Sequence, residues 1–156
     1  MQLTRKASYG LIAVVALARR DETTPVPAGT IATDYGLPAP FLEKILHEMK
    51  RAGLVRSRAG RGGGYILARP AESVSVRDVL QALGEPIDLV QCLDPASATC
   101  RIAGCCPTQR TWHSINGRFR ELLASLSVAD LDTELLPSAS PDAGAINHGD
   151  ACSSRM

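Results

Sequence analysis

Histidine is scarce in this sequence, a membrane-length apolar run is missing, and net charge is nearly absent. Each shortage narrows what the chain can do. His47, His113 and His148 are the only histidines in 156 residues. None has a serine, aspartate or other carboxylate companion at a diagnostic spacing, so an enzyme reading has little to rest on. No stretch approaches the roughly 18 consecutive apolar residues of a membrane span. No internal repeat is present. The five cysteines contain no C-x-x-C and have no βαβ surroundings, which leaves a thiol oxidoreductase as an outsider. The glycine-rich GRGGGY at 60–65 lacks a following Lys-Ser/Thr and lies between two expected strands, so it is not a nucleotide loop.

The net charge of +1 conceals an asymmetry. Residues 1–84 carry 12 Lys/Arg against 7 Asp/Glu, whereas residues 85–156 carry 5 against 9. A basic front half fits a polyanionic partner. A hydrophobic share of 45% is enough for a real core, and the length suits one domain with appendages.

What is present is concentrated between Pro38 and Tyr65. Phe41, Leu42, Ile45, Leu46 and Met49 recur at three- and four-residue steps, giving an apolar helix face, while Glu43, Lys44, His47, Lys50 and Arg51 occupy the other. Pro38 and Pro40 suit the start of that helix, where a missing N–H costs nothing, and Gly53 suits its left-handed end. Leu54–Arg58 and Tyr65–Arg69 then flank a glycine-rich turn, whose glycines permit a hairpin and a close approach of backbone to a partner. Helix plus basic hairpin is the winged-helix pattern. Lys44, His47, Lys50, Arg58 and Arg61 are its candidate DNA contacts.

The remaining elements follow in order. Thr4 can cap a first helix reaching Arg19 or Arg20, with Leu11, Val14, Val15 and Ala18 available for the core. The basic residues before this apolar run give it a passing likeness to a secretory leader. Cleavage there would remove the helix that must cover the DNA-binding unit, so the chain is expected to be cytoplasmic and its cysteines to be metal-binding or redox-active rather than disulfide-bonded. Ala28–Tyr35 reads as a second helix, and Gly36 turns into the third. Ser75 can cap Val76–Leu83 with Asp78 in the capping-box position. Cys92 to Cys106 reads as an irregular loop and Thr108–Leu126 as the last long helix. On that helix Trp112, Ile115, Phe119, Leu122, Leu123 and Leu126 make a stripe too large to leave in water. Ser127 can cap a short helix through Leu135, and the Ser, Pro, Ala, Gly and Asp-rich end has little to bury.

The segments MQLTRKASYGLIAVVALA, FLEKILHEMKRAGLVRS, GGGYILARP and VSVRDVLQALGEP, with the cysteine cluster after them, resemble in the same order the bacterial regulator family that includes IscR and NsrR, across residues 1 to about 134. The resemblance implies a mainly α fold with a small β-hairpin wing, in which a winged helix-turn-helix domain is followed by a long C-terminal dimerisation helix. The expected division is a DNA-binding domain at 1–84, a cysteine-rich sensor loop at 85–107, the dimerisation helix and a short terminal helix at 108–135, and a disordered tail at 136–156. The implied function is a homodimeric regulator of double-stranded operator DNA, read here as a repressor, whose affinity is controlled by an iron-sulfur cluster of two-iron or four-iron type. No membrane association and no small-molecule substrate are expected.

By the same resemblance, Glu43 matches a position that helps select the operator; a carboxylate in the major groove accepts from cytosine N4 and is repelled by phosphate. An ordinary surface Glu paired with His47 is the plainer alternative. Ala59 stands where the family places a minor-groove arginine, with Arg58 and Arg61 beside it. Pro38 and Pro40 replace hydroxyl-bearing residues. Counted from Trp112, Cys92, Cys100 and Cys106 fall on the family's three cysteine ligands. The family's fourth ligand, a histidine or an aspartate, is replaced here by Gln109 or Ser8, which leaves Cys105, His113, Ser8, Gln109 or a small molecule. A zinc site, a bare thiol switch and a protein partner are the alternatives to a cluster.

Overall fold

The computed structural model describes residues 3–21, 23–90, 93 and 105–132. In chain order it contains α1 (Arg5–Ala18), α2 (Ala28–Asp34), α3 (Ala39–Arg51), β1 (Val55–Arg58), β2 (Gly64–Leu67), a 3-10 turn at Ala71–Ser73, α4 (Val76–Ala82), α5 (Gln109–Ser125) and α6 (Val128–Asp132). This is the expected mainly helical architecture with one hairpin.

Local chemistry sets the helix ends. The Thr4 hydroxyl accepts from the Ala7 N–H at 3.1 Å and starts α1. Pro38 precedes α3, and Pro40 sits in its first turn, where no intrahelical N–H is needed. Gly53 (φ +76°) lets the chain leave α3 through the left-handed region. Ser75 and Asp78 form the reciprocal capping box on α4, with both bonds at 3.1 Å. Ser127 and Asp130 exchange the equivalent bonds at the start of α6.

The hairpin pairs antiparallel, Val55 with Leu67 and Arg58 with Gly64 at its two ends. Val26 adds a single bridge to Tyr65, with each N–H donating to the other's carbonyl at 2.9 Å. The segment before α2, read from sequence only as loop, therefore fastens the wing to the helices.

The core lies where α1, α2, α3 and the hairpin meet. Val14, Ile31, Leu42, Ile45, Leu46, Met49, Val55, Val79 and Val128 are all within about 1% of full burial. Phe41 departs from the expected apolar face; it is 37% exposed and packs edge-on against Tyr9 at 5.8 Å. Helix α1 also turns a different face inward than its large residues suggest. Ala7, Gly10, Ala13, Val14 and Leu17 are buried, and Leu11, Val15 and Ala18 only partly so. Small residues win because α1 is squeezed between α3 and α4: a Cβ on Gly10 would lie 2.4 Å from Leu83 Cδ1 and 3.0 Å from Met49 Cε. Lys6 spans the same junction, donating to the Leu83 carbonyl at 2.7 Å and pairing with Glu48 at 2.6 Å.

After α5 the chain returns to this body. Val76 N–H donates to the Leu126 carbonyl and Val128 N–H to the Val74 carbonyl, both at 2.8 Å, and Val128 is fully buried in the main core. The expected extension of α6 to Leu135 and the tail at 136–156 lie outside the described residues.

Candidate nucleic-acid interface and sensor segment

Helix α3 owes its outward face to the burial of the opposite one. With Leu42, Ile45, Leu46 and Met49 in the core, Pro40, Glu43, Lys44, His47, Glu48 and Arg51 follow at helical spacing along one stripe. This stripe forms one wall of an open groove of about 910 Å³, closed on its other sides by Pro27–Gly29 at the start of α2 and by Gly63–Tyr65 of the hairpin.

The charges in and beside this groove are unevenly satisfied. Lys44, Lys50, Arg56, Arg58 and Arg61 make no ion pair among the described residues, whereas Lys6, Arg20, Arg69 and Arg120 are paired with Glu48, Asp34, Asp78 and Asp88 respectively. Glu48 lines the groove but is neutralised by Lys6. Glu43 lines the groove beside His47, and among the described residues neither makes an ion pair.

On the hairpin, Val55 is buried while Arg56, Ser57 and Arg58 are exposed, and Arg61 stands in the turn between the strands. Period-two alternation places Arg56 and Arg58 on the same side of the strand. Sequence reasoning singled out Arg58 and passed over Arg56; the alternation in Val-Arg-Ser-Arg was the available signal. The glycines divide their labour. Gly60 (φ +99°) and Gly62 (φ +78°) supply the turn. At Gly63 and Gly64 the chain itself comes close: a Cβ on Gly63 would lie 2.2 Å from the Arg58 carbonyl oxygen, and one on Gly64 2.4 Å from the Val26 carbonyl group.

The candidate sensor segment begins and ends on α5. Asn116, the buried polar residue of that helix, accepts from the Leu89 N–H at 2.9 Å and donates to the Asp88 carboxylate at 2.5 Å. Arg120, one turn further, pairs with the same carboxylate at 2.7 Å. Residues 88–89 are thus held at Asn116, roughly 10 Å along the helix from its first residue at 1.5 Å per residue. Cys105 and Cys106 lead into its first turn. Sequence reasoning missed this anchor, although the i, i+4 spacing of Asn116 and Arg120 hinted at a shared partner.

Cys92 and Cys100 lie outside the described residues. Cys106 is half-buried with its Sγ 3.5 Å from the Thr108 hydroxyl, and hydrogen bonds from the Thr108 side chain and backbone hold its thiol below the ordinary value. Cys105 is exposed. Gln109 and His113 stand one turn apart on α5, both exposed, with the Gln109 N–H donating to the Cys106 carbonyl at 3.4 Å, while Ser8 is half-buried on α1. A thiol held below its ordinary value suits a metal ligand, and three thiols within one segment are a donor set of iron-sulfur type.

The apolar stripe on α5 divides. Leu123 and Leu126 pack against Ala7, Val76, Leu80 and Ile87, whereas Trp112, Ile115 and Leu122 are 37%, 42% and 54% exposed. Among the described residues no helix is long and apolar enough to cross a membrane.

Comparison with known proteins matches residues 3–134 to the Rrf2 family model, described as an iron-dependent transcriptional regulator. The HTH-type transcriptional regulator IscR of Klebsiella pneumoniae strain 342 is 31% identical over 131 residues, covering 84% of this chain and 79% of that protein. Its Vibrio parahaemolyticus namesake is 31% identical over 153 residues, covering 96% and 90%. Among solved structures, CymR, the global cysteine regulator of B. subtilis, superposes with a TM-score of 0.70 at 27% identity, covering 85% of this chain and 96% of that one. IscR of T. potens superposes with a TM-score of 0.65 at 29% identity, covering 84% and 85%.

Proposed function

This chain belongs to the Rrf2 family of transcriptional regulators, DNA-binding proteins rather than enzymes, and on that premise we propose that it is a cytoplasmic homodimeric repressor whose hold on operator DNA is set by an iron-sulfur cluster on the segment 92–106. Lys44, His47, Lys50, Arg56, Arg58 and Arg61 contact the duplex. Glu43 selects among operators. Residues 1–84 are the DNA-binding part, 85–107 the sensor and 108–135 the pairing part.

The observation that carries the regulatory reading is the double use of α5. The helix that leaves Trp112, Ile115 and Leu122 exposed also holds residues 88–89 and begins three residues after Cys106. A change in the sensor segment therefore acts on the element that sets the separation of two recognition helices, which must match half-sites roughly one DNA turn apart. Cys92, Cys100 and Cys106 hold the cluster, with the fourth position filled by Cys105, His113, Ser8, Gln109 or a small molecule. When bound, the cluster supplies one-electron redox chemistry. The residues around it fix the ends of the segment and keep the Cys106 thiol ready to ligate.

A thiol switch is the competing reading, favoured by exposed Cys105 beside Cys106, whose thiol Thr108 holds below its ordinary value. One preparation separates the two. Anaerobically purified protein is expected to be coloured, to contain iron and acid-labile sulfide, and to differ from its apo form in operator affinity by roughly 5- to 150-fold at one fixed salt concentration. Replacing Cys92, Cys100 or Cys106 by Ser removes the colour; replacing Cys105 does not. Colourless protein whose operator binding responds to thiol oxidants would put the switch in the cluster's place.

A further inference from the structure

The first turn of α3 differs from the rest of its outward face in having almost nothing to donate. The Pro40 nitrogen carries no hydrogen, and the Phe41 and Leu42 N–H groups both donate to the Pro38 carbonyl at 3.0 Å. Pro40 is exposed and lines the groove, and the next residue on the same stripe, Glu43, is an acceptor that makes no ion pair among the described residues. Donors resume only at Lys44 and His47.

A recognition helix brings its N-terminal residues to the base edges. There the major groove presents one apolar group, the thymine C5 methyl. A pyrrolidine ring gains by covering that methyl. Against adenine, guanine or cytosine it would cover a hydrogen-bonding edge and return nothing, at the cost of an unsatisfied polar group. We infer that Pro40 is a specificity-determining residue that reads the methyl of one thymine in each half-site, at the base step adjoining the one faced by Glu43. This rests on the DNA-binding reading above and extends it to a particular base.

The test uses the full chain and its own selected operator. Duplexes are first selected from a random pool, then each thymine is replaced in turn by deoxyuridine, which deletes the methyl and leaves every hydrogen bond intact. Burial of one methyl corresponds to about 4-fold in affinity, hence about 15-fold when both half-sites are altered together. We expect one symmetry-related thymine pair to show that loss with the natural protein and no loss with Pro40→Ser, in which the methyl meets no ring, each protein's uridine duplex being compared with its own thymine duplex. Uridine tolerated at every position by the natural protein would overturn the assignment without recourse to any variant. So would a penalty that persists unchanged in Pro40→Ser. Failure to select any duplex above the random pool would instead overturn the DNA-binding reading on which the assignment rests.

Discussion

At the scale of single residues, Gly64 and Cys106 have the most to lose from small changes. A methyl on Gly64 meets Val26 backbone, which cannot rotate aside, so Gly64→Ala must break the two 2.9 Å bonds between Val26 and Tyr65. We expect a loss of about 2 kcal/mol or more, read by urea unfolding. Gly62→Ala, with φ +78° but open space around it, should cost about 1 kcal/mol from backbone strain alone. Cys106 is a matter of protons. Thr108 holds the thiol below its ordinary value, so the thiolate persists to lower pH than in a free cysteine. Alkylation of Cys106 in the metal-free chain should therefore rise at a pH below that of a free cysteine peptide. Thr108→Val should move the profile upward, measured by peptide mapping after timed iodoacetamide treatment; an unmoved profile would remove the hydroxyl from the explanation.

At the scale of elements, α5 depends on a contact that no local pattern discloses. Asp88 is 28 residues from Asn116, and its side chain is 8% exposed. Asn116→Ala leaves the Leu89 N–H and one side of that carboxylate unpartnered, and should cost about 2 kcal/mol with faster hydrogen exchange at the Leu89 amide. Unchanged exchange would mean that the anchor contributes nothing in solution. Features governed by neighbours in sequence were legible: the apolar period of α3, the prolines at its start, Gly53 at its end, and the Ser75–Asp78 box. Features set by distant partners were not. The bridge at Val26, the inward turn of Gly10 and the Asn116 anchor each depend on what packs alongside. The division of the α5 stripe was hidden for the same reason, since Leu122 and Leu123 are equally apolar and only the position of α4 and Ile87 decides which is covered. Of the candidate site, the cations of α3 were readable from the helical period and Arg58 from its place beside the glycine-rich turn, while the pairing of Glu48 with Lys6 required the fold.

At the scale of the whole molecule, the exposed ridge of Trp112, Ile115 and Leu122 is the reason to expect a pair. Sedimentation should give a dimer at micromolar concentration, and Ile115→Glu or Leu122→Arg a monomer. Those monomers should lose most operator affinity, because two linked half-site contacts reinforce each other through effective concentration and a single one does not. A natural protein that sediments as a monomer would defeat this.

The return of the chain after α5 bears on what can be borrowed from this protein. Val128 completes the same core as Val14 and Met49, although 79 residues separate it from the latter in sequence. A fragment ending after the hairpin or after α4 would contain every candidate DNA contact and still lack the plug in its own interior, at a cost of the order of 2 to 3 kcal/mol for one buried valine and its cavity. The DNA-reading part is thus no detachable cassette. Anyone grafting it onto a different sensor would have to carry α6 along, or supply a substitute for it.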